Sequence, residues 1–266
     1  MSWENKYLSL TQYLNKLEKI AIAFSGGMDS SLLLKAATDS NLKKVVAITI
    51  NTPYIPSWEI DEAKQLANEL KIRHRVLNLA FIDEIKFNPE NRCYLCKKSL
   101  FKSMIDEAKK ESIEYILDGT NTDDLKDYRP GIMALKELNI KSPLLELGFT
   151  KKDIREILKN LNLSTWDKKP NACLLSRIPY GEEINLDKIK RIEESEKYIL
   201  NLGFDAVRVR SHGDMARIEV PKNQRKKFFD EKLLDEVANY LKNLGFKYVS
   251  IDIEGYRTGS LNEAIK

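Results

Sequence analysis

The chain has 266 residues, room for a little under two domains at roughly 150 residues each. It carries 44 Lys and Arg against 40 Asp and Glu, a net charge of +4, with 42% apolar and 32% charged residues. These values exclude a disordered or membrane-embedded chain and argue against a general nucleic-acid binder, leaving room for a local basic patch. Three cysteines, an odd number, argue against a disulfide framework, and two histidines exclude a site built on several imidazoles.

Residues 1–19 carry Glu4, Lys6, Lys16 and Glu18 and no apolar core, so they do not read as a signal peptide. No apolar run approaches the roughly 18 residues that span a bilayer. The expected location is therefore the reducing cytoplasm, where thiols bind metal or do chemistry more often than they crosslink. Residues 20–24 and 45–50 are short apolar runs of buried-strand type, with weaker ones at 76–79 and 115–117. Between them, residues 30–38, 60–70 and 100–108 space apolar residues by three and four, as surface helices do. Thr150 and Asp153 fit a capping box that opens a further helix over 154–161. Alternating strand and helix predicts an α/β fold, a parallel sheet covered on both faces with ligands beyond the carboxyl ends of its strands.

Residues 164–181 break this rhythm with Pro170, Pro179 and Gly181, and carry Cys173. After them, a helix at 186–202, strands at 206–210 and 216–220, a helix at 224–244 and a strand at 248–253 predict a small second α/β domain. The expected organisation is a nucleotide-binding domain over 1–163, an interdomain segment over 164–181 and a substrate or oligomerisation domain over 182–266. Internal repeats and low-complexity segments are absent.

Ser25, Gly26, Gly27, Asp29, Ser30 and Ser31 lie between the first strand and a helix. Two glycines let the backbone approach phosphate oxygens, the helix start presents unpaired N–H groups, and the serines add hydroxyls. The loop is neither a Walker loop nor a dinucleotide fingerprint. It resembles the SGG-x-DS loop of the PP-loop ATP pyrophosphatases, which cleave ATP between the α and β phosphates while adenylating a carbonyl oxygen. The resemblance implies that these six residues bind pyrophosphate, with Asp29 a candidate catalytic residue. Asp118, Gly119, Thr120 and Asp124 follow another predicted strand, where carboxylates and hydroxyls suit Mg²⁺ against phosphate; a plain polar turn is the competing reading. The segment matches the D-G-T-N of this superfamily, and Arg129 follows within reach of a phosphate.

Cys93 and Cys96 form a C-x-x-C at a helix start among Arg92, Lys97 and Lys98, which favour the thiolate. Structural zinc wants four ligands, and Cys93, Cys96 and Cys173 are only three; neither His74 nor His212 offers an obvious fourth. A redox pair leaves Cys173 idle, and two buried thiols would ignore their charged neighbours. An iron–sulfur cluster with one open iron uses all three.

Residues 172–181 (ACLLSRIPYG), 207–213 (VRVRSHG), 216–219 (ARIE) and 255–263 (GYRTGSLNE) narrow the resemblance to the LarE family of ATP-dependent sulfur transferases, over nearly the whole chain. The family adenylates the carboxylates of pyridinium-3,5-biscarboxylic acid mononucleotide and replaces oxygen with sulfur, in the making of a nickel-pincer nucleotide cofactor. One branch sacrifices the cysteine matching Cys173, leaving dehydroalanine; the other holds a [4Fe-4S] cluster on three cysteines, with a sulfide on the open iron. Having Cys93 and Cys96 as well, this chain resembles the cluster branch. The resemblance implies ATP, Mg²⁺ and the cluster as cofactors and a sulfide donor as partner. It further implies a homo-oligomer, hexameric by analogy, with neither nucleic acid nor membrane as partner.

Arg177, Arg208, Arg210, Arg217 and Arg257 suit a substrate with two carboxylates and a phosphate, against the competing reading of ordinary ion pairs. Arg208 and Arg210, two apart in a strand, share one face, and the resemblance points to them for the substrate phosphate. Cys173, Asp29 and Arg177 are the candidate catalytic residues. Residues 222–227 read as a solvated charged face, the two histidines as structural or exposed, and Trp58 and Trp166 as core before base-stacking platforms. A tRNA thiolase shares loop and cluster but needs a broad basic surface that +4 hardly supplies; a non-catalytic nucleotide-binding regulator is the other alternative.

Overall fold

The structure, a computed structural model, describes residues 2–126, 130–169 and 172–257. The chain divides into two compact units, Met1–Ile82 with Asn91–Asn171 and Asp83–Glu90 with Ala172–Lys266.

The first unit runs α1 (Trp3–Leu14), β1 (Lys19–Ala23), α2 (Met28–Thr38), β2 (Lys44–Asn51), α3 (Ser57–Glu69), β3 (Arg73–Asn78), α4 (Arg92–Lys110), β4 (Tyr115–Leu117), α5 (Gly131–Glu137), α6 (Pro143–Glu146) and α7 (Lys151–Asn160). Its sheet has the order β3-β2-β1-β4 with every pairing parallel. Helices cover both faces, as the buried-strand runs require. One face packs Ile20 and Ile22 with Leu10, Leu14, Leu33, Ile154 and Ile157; the other packs Ala21, Val46 and Ile48 with Phe101, Met104 and Leu135. α1 answers to Trp3, Tyr7, Leu10 and Leu14, a helical apolar spacing. The capping box stands as read: Thr150 Oγ1 accepts from Asp153 N, and the Asp153 carboxylate accepts from Thr150 N.

β1 pairs with β2 on one side and with β4 on the other, so the sheet changes winding direction between β1 and β4. In such sheets the carboxyl ends flanking the switch form the ligand crevice. Ile22 is in register with Leu117, so the loops leaving β1 and β4 emerge side by side.

The second unit runs α8 (Leu186–Asn201), β5 (Arg208–His212), β6 (Met215–Glu219), α9 (Glu231–Asn243) and β7 (Tyr248–Ile251), its sheet ordered β5-β6-β7. Its core joins Ile199, Val209, Ile218, Val237 and Leu241. The single helix expected over 224–244 is two elements. Residues Lys222–Phe229 form a 3₁₀ helix after Pro221, and Asp230 caps α9 by accepting from Lys232 N and Leu233 N. Asn88, on the segment that joins this unit from earlier in the chain, donates to the carbonyls of Ile178 (2.7 Å) and Pro179 (2.8 Å). No helix among the described residues is long and apolar enough to cross a membrane.

Candidate active site

The loop over 25–31 is built by close approach. Gly26 has φ +68°, and a Cβ there would stand 3.1 Å from the Ala63 Cα, so a side chain meets both strain and α3. Gly27 caps α2. Ser30 Oγ accepts from Ser25 N (3.3 Å) and donates to Gly27 O (3.2 Å), and Ser25 Oγ accepts from Gly27 N (3.3 Å). The hydroxyls thus shape the loop before any ligand arrives. Ser31 Oγ is buried and has no hydrogen-bond partner among the described residues. Behind the loop, Thr49 donates to Phe24 O (2.6 Å), so the His74 Nε2 2.7 Å away is the donor to that hydroxyl. Burial first, then Lys64, pushes the His74 pKa below its ordinary value of 6.5.

The segment after β4 lies directly on this loop. A Cβ at Gly119 would be 2.9 Å from the Asp29 Cβ and 3.0 Å from Ser30 N, so only glycine admits the approach. The Asn121 side-chain amide donates to Asp124 Oδ2 (2.9 Å) and to Asp29 Oδ1 (3.4 Å), bringing both carboxylates to one amide. Asp118 accepts from Thr120 Oγ1 and from Ser142 Oγ (2.6 Å). Mg²⁺ takes one or two carboxylates together with substrate phosphates, and Asp29 and Asp124 fit that arrangement. Arg129 lies outside the described residues.

Two lysines missed in the sequence complete the site. Lys151, first residue of α7, donates from its backbone N to Asp123 Oδ2 (2.8 Å) and pairs its ammonium with Asp29. Lys168 donates to Gly26 O (2.9 Å) and pairs with Glu62 (2.5 Å). Both are long-range contacts with no local signature, although Lys151 sits inside the capping box. Trp166 packs on the core of the first unit.

Cys93 and Cys96 are outside any disulfide and lie one helical turn apart at the start of α4, hence on one face. Lys98, expected to act on the thiols, instead pairs with Glu137 (2.8 Å). Cys173, in the second unit, is also free and half-buried. No three His, Cys, Asp or Glu side chains among the described residues group as a ready metal site. Three cysteines outside any disulfide are nevertheless the donor type of an iron–sulfur cluster with one open iron, and Cys93 and Cys96 are neighbours on one helix.

In the second unit Arg177, Arg208 and Arg210 are buried. Arg177 is 1% exposed; its Nε and Nη2 bind both oxygens of Glu196 at 2.8 Å, and its Nη1 donates to the carbonyls of Ala172 (2.7 Å) and Cys173 (3.1 Å). Burial opposes its charge, but the facing carboxylate outweighs that and raises its pKa above the ordinary arginine value. Glu196 also accepts from Val209 N (2.9 Å), tying α8 to β5. Arg210 forks onto Glu219 (3.0 and 2.7 Å) and donates to Ser176 O (2.7 Å). Arg208 donates to Val207 O (2.7 Å) and lies over the Tyr256 ring, 5.1 Å from its centroid. Burial first, then Arg177, lowers its pKa. Arg217 pairs with Glu219 (3.1 Å) and Arg257 with Glu254 (2.8 Å). The arginines expected to meet substrate thus already hold protein partners, and Arg177 grips the backbone on either side of the Ala172–Cys173 bond. Of the C-terminal motif, residues 258–263 lie outside the described residues.

A parallel sheet with a serine–glycine loop at its switch point, faced by an Asp-Gly-Thr-Asn segment, defines a PP-loop ATP-using domain. A family model described as Queuosine biosynthesis protein QueC matches residues 19–112. The chain is 36% identical over 263 residues to the pyridinium-3,5-bisthiocarboxylic acid mononucleotide synthase of Lactiplantibacillus plantarum, covering 98% of this chain and 95% of that one. It is 41% identical to an uncharacterised protein of Synechocystis sp. over 98% of both chains. It is 26% identical to the tRNA-specific 2-thiouridylase MnmA of Clostridium perfringens over 63% of this chain and 58% of that one. The chain belongs to the LarE family and is an ATP-dependent sulfur transferase.

Proposed function

We propose that this enzyme adenylates the carboxylates of pyridinium-3,5-biscarboxylic acid mononucleotide and converts them to thiocarboxylates for nickel-pincer nucleotide synthesis, with sulfur supplied at a [4Fe-4S] cluster on Cys93, Cys96 and Cys173. The observation that carries the adenylation step is the close fit of the Gly119 segment on the loop over 25–31, with Asp29 and Asp124 at one amide. The substrate follows the L. plantarum relative, which matches this chain almost end to end.

ATP places its β and γ phosphates at Ser25, Gly26, Gly27, Ser30 and Ser31, against the N-terminus of α2. Asp29 and Asp124 are the residues that would hold Mg²⁺, which would supply charge neutralisation to the phosphates, and Lys151 and Lys168 bring positive charge to a loop that has no lysine of its own. A substrate carboxylate oxygen attacks the α-phosphorus, its bond to phosphorus forms as the α–β bridge breaks, and pyrophosphate leaves with the bridging electrons. Charge neutralisation and alignment are the whole of this catalysis. When bound, a cluster held by three thiolates leaves one iron for a non-protein ligand and supplies the sulfide that displaces AMP. Arg177, clamped by Glu196, fixes the backbone that carries Cys173. The family resemblance assigns Arg208 and Arg210, neighbours on one face of β5, to the substrate phosphate.

Anaerobic purification with iron and sulfide analysis, repeated on Cys93→Ala, Cys96→Ala and Cys173→Ala, tests the cluster. About four irons per chain, lost in each variant, is the expected result. Iron-free, active protein in which Cys173 becomes dehydroalanine would overturn the cluster and leave a sacrificial thiol. The thiouridylase reading predicts steeply salt-dependent tRNA binding instead.

A further inference from the structure

The turn after β2 carries a tyrosine that neither the loop nor the arginines account for. Tyr54 is 1% exposed, and its hydroxyl stands 3.4 Å from the Cys96 sulfur. Ile55 N donates to Thr52 O (3.1 Å) in this turn, and the Tyr54 ring sits edge-on to Phe81, centroids 5.9 Å apart at 89°. Backbone and ring are therefore both held, and the hydroxyl has a fixed direction.

We propose that Tyr54 is a positioning residue for the thiolate of Cys96: its hydroxyl donates a hydrogen bond to that sulfur, holding its rotamer and drawing electron density from it. The direction of the bond follows from the chemistry. A thiolate, free or metal-bound, has no proton to give, whereas a phenol keeps its proton at neutral pH. Cys93 is exposed, whereas Cys96 is half-buried with the Tyr54 hydroxyl against its sulfur. Hydrogen bonds to ligand sulfur raise the reduction potential of an iron–sulfur centre, so Tyr54 makes the site harder to oxidise. The effect on potential rests on the proposed cluster; the hydrogen bond itself does not.

The test uses the full chain and Tyr54→Phe, which removes one oxygen and keeps the ring, with thermal melting to establish that the variant folds. After anaerobic reconstitution, the midpoint potential is followed in a dye-mediated titration. The expected result is equal iron content and a more negative potential in Tyr54→Phe, with Phe81→Leu, which keeps the hydroxyl but frees the ring, moving the same way by less. Equal potentials at equal iron content would overturn the proposal. If the wild-type chain takes up no iron, the cluster reading fails, and peptide-mapped alkylation of the metal-free chain decides instead. There the ratio of Cys96 to Cys93 labelling is expected to fall in Tyr54→Phe by roughly two- to fivefold, the size of one net hydrogen bond, and an unchanged ratio would overturn the proposal.

Discussion

The loop over 25–31 and the segment around Cys173 handle polar groups in opposite ways. The loop is made of glycine backbone and small hydroxyls with one carboxylate, Asp29, and its cationic neighbours, Lys151 and Lys168, come from distant parts of the first unit. Around Cys173 the charges are large and buried, and they are matched internally: Arg177 by Glu196, Arg210 by Glu219. The first arrangement leaves backbone N–H groups for a ligand; the second makes a rigid frame. A cluster of arginines near a cysteine is therefore not by itself a substrate site, because a buried guanidinium needs its own carboxylate.

The largest effect is expected from breaking that frame. Glu196→Ala leaves the Arg177 guanidinium buried and unpaired and removes the acceptor of Val209 N; chemical denaturation is expected to show a loss of about 3–5 kcal/mol in the second unit. A loss under 1 kcal/mol would mean that Arg177 faces outward and is free for substrate. Next comes Gly119→Ala, whose Cβ must displace Asp29 or the backbone at Ser30. ATP–pyrophosphate exchange is expected to fall by about 100-fold, as for an ångström-scale misplacement of reacting groups, with the melting temperature nearly unchanged.

Thr150→Ala removes one half of the capping box while leaving Asp123 and Lys151 in place, and is expected to cost about 1 kcal/mol in urea. The smallest effect is in pH. Burial holds both His74 and His212 below their ordinary pKa of 6.5, so the unfolded chain binds protons that the folded chain does not. Stability is therefore full above pH 6.5 and declines as the pH falls below it. The melting temperature is expected to drop between pH 7.5 and 5.5, and to drop less in His74→Gln and His212→Gln.

The sheet of the first unit was legible because β1 and β2 are short runs of mostly buried aliphatic residues, while β3, partly exposed along its length, gave a weaker signal. Its site was legible wherever the chemistry is local: the serines and glycines of the loop, and the Asp118–Asn121 turn. Lys151 and Lys168 escaped because they reach the loop from 122 and 142 residues away along the chain. The break in the helix at Asp230 was readable, since an aspartate before Glu-Lys-Leu-Leu is a cap, but the apolar spacing on both sides concealed it. The arginine partners were hidden for another reason. Arg210 opposes Arg217 in the β5–β6 register and reaches Glu219 only along the diagonal, a pairing that needs the hairpin register to be known.

In the proposed function, one chain joins ATP cleavage at the β1–β4 switch point to sulfur transfer onto a carboxylate. The direct measurement is an anaerobic reaction of the purified, reconstituted chain with ATP, Mg²⁺, sulfide and pyridinium-3,5-biscarboxylic acid mononucleotide, quantifying AMP, pyrophosphate and thiocarboxylate together. One AMP and one pyrophosphate are expected for each oxygen replaced, and no pyrophosphate when the carboxylate substrate is withheld. Release of pyrophosphate without thiocarboxylate, or thiocarboxylate without AMP, would contradict the proposed function.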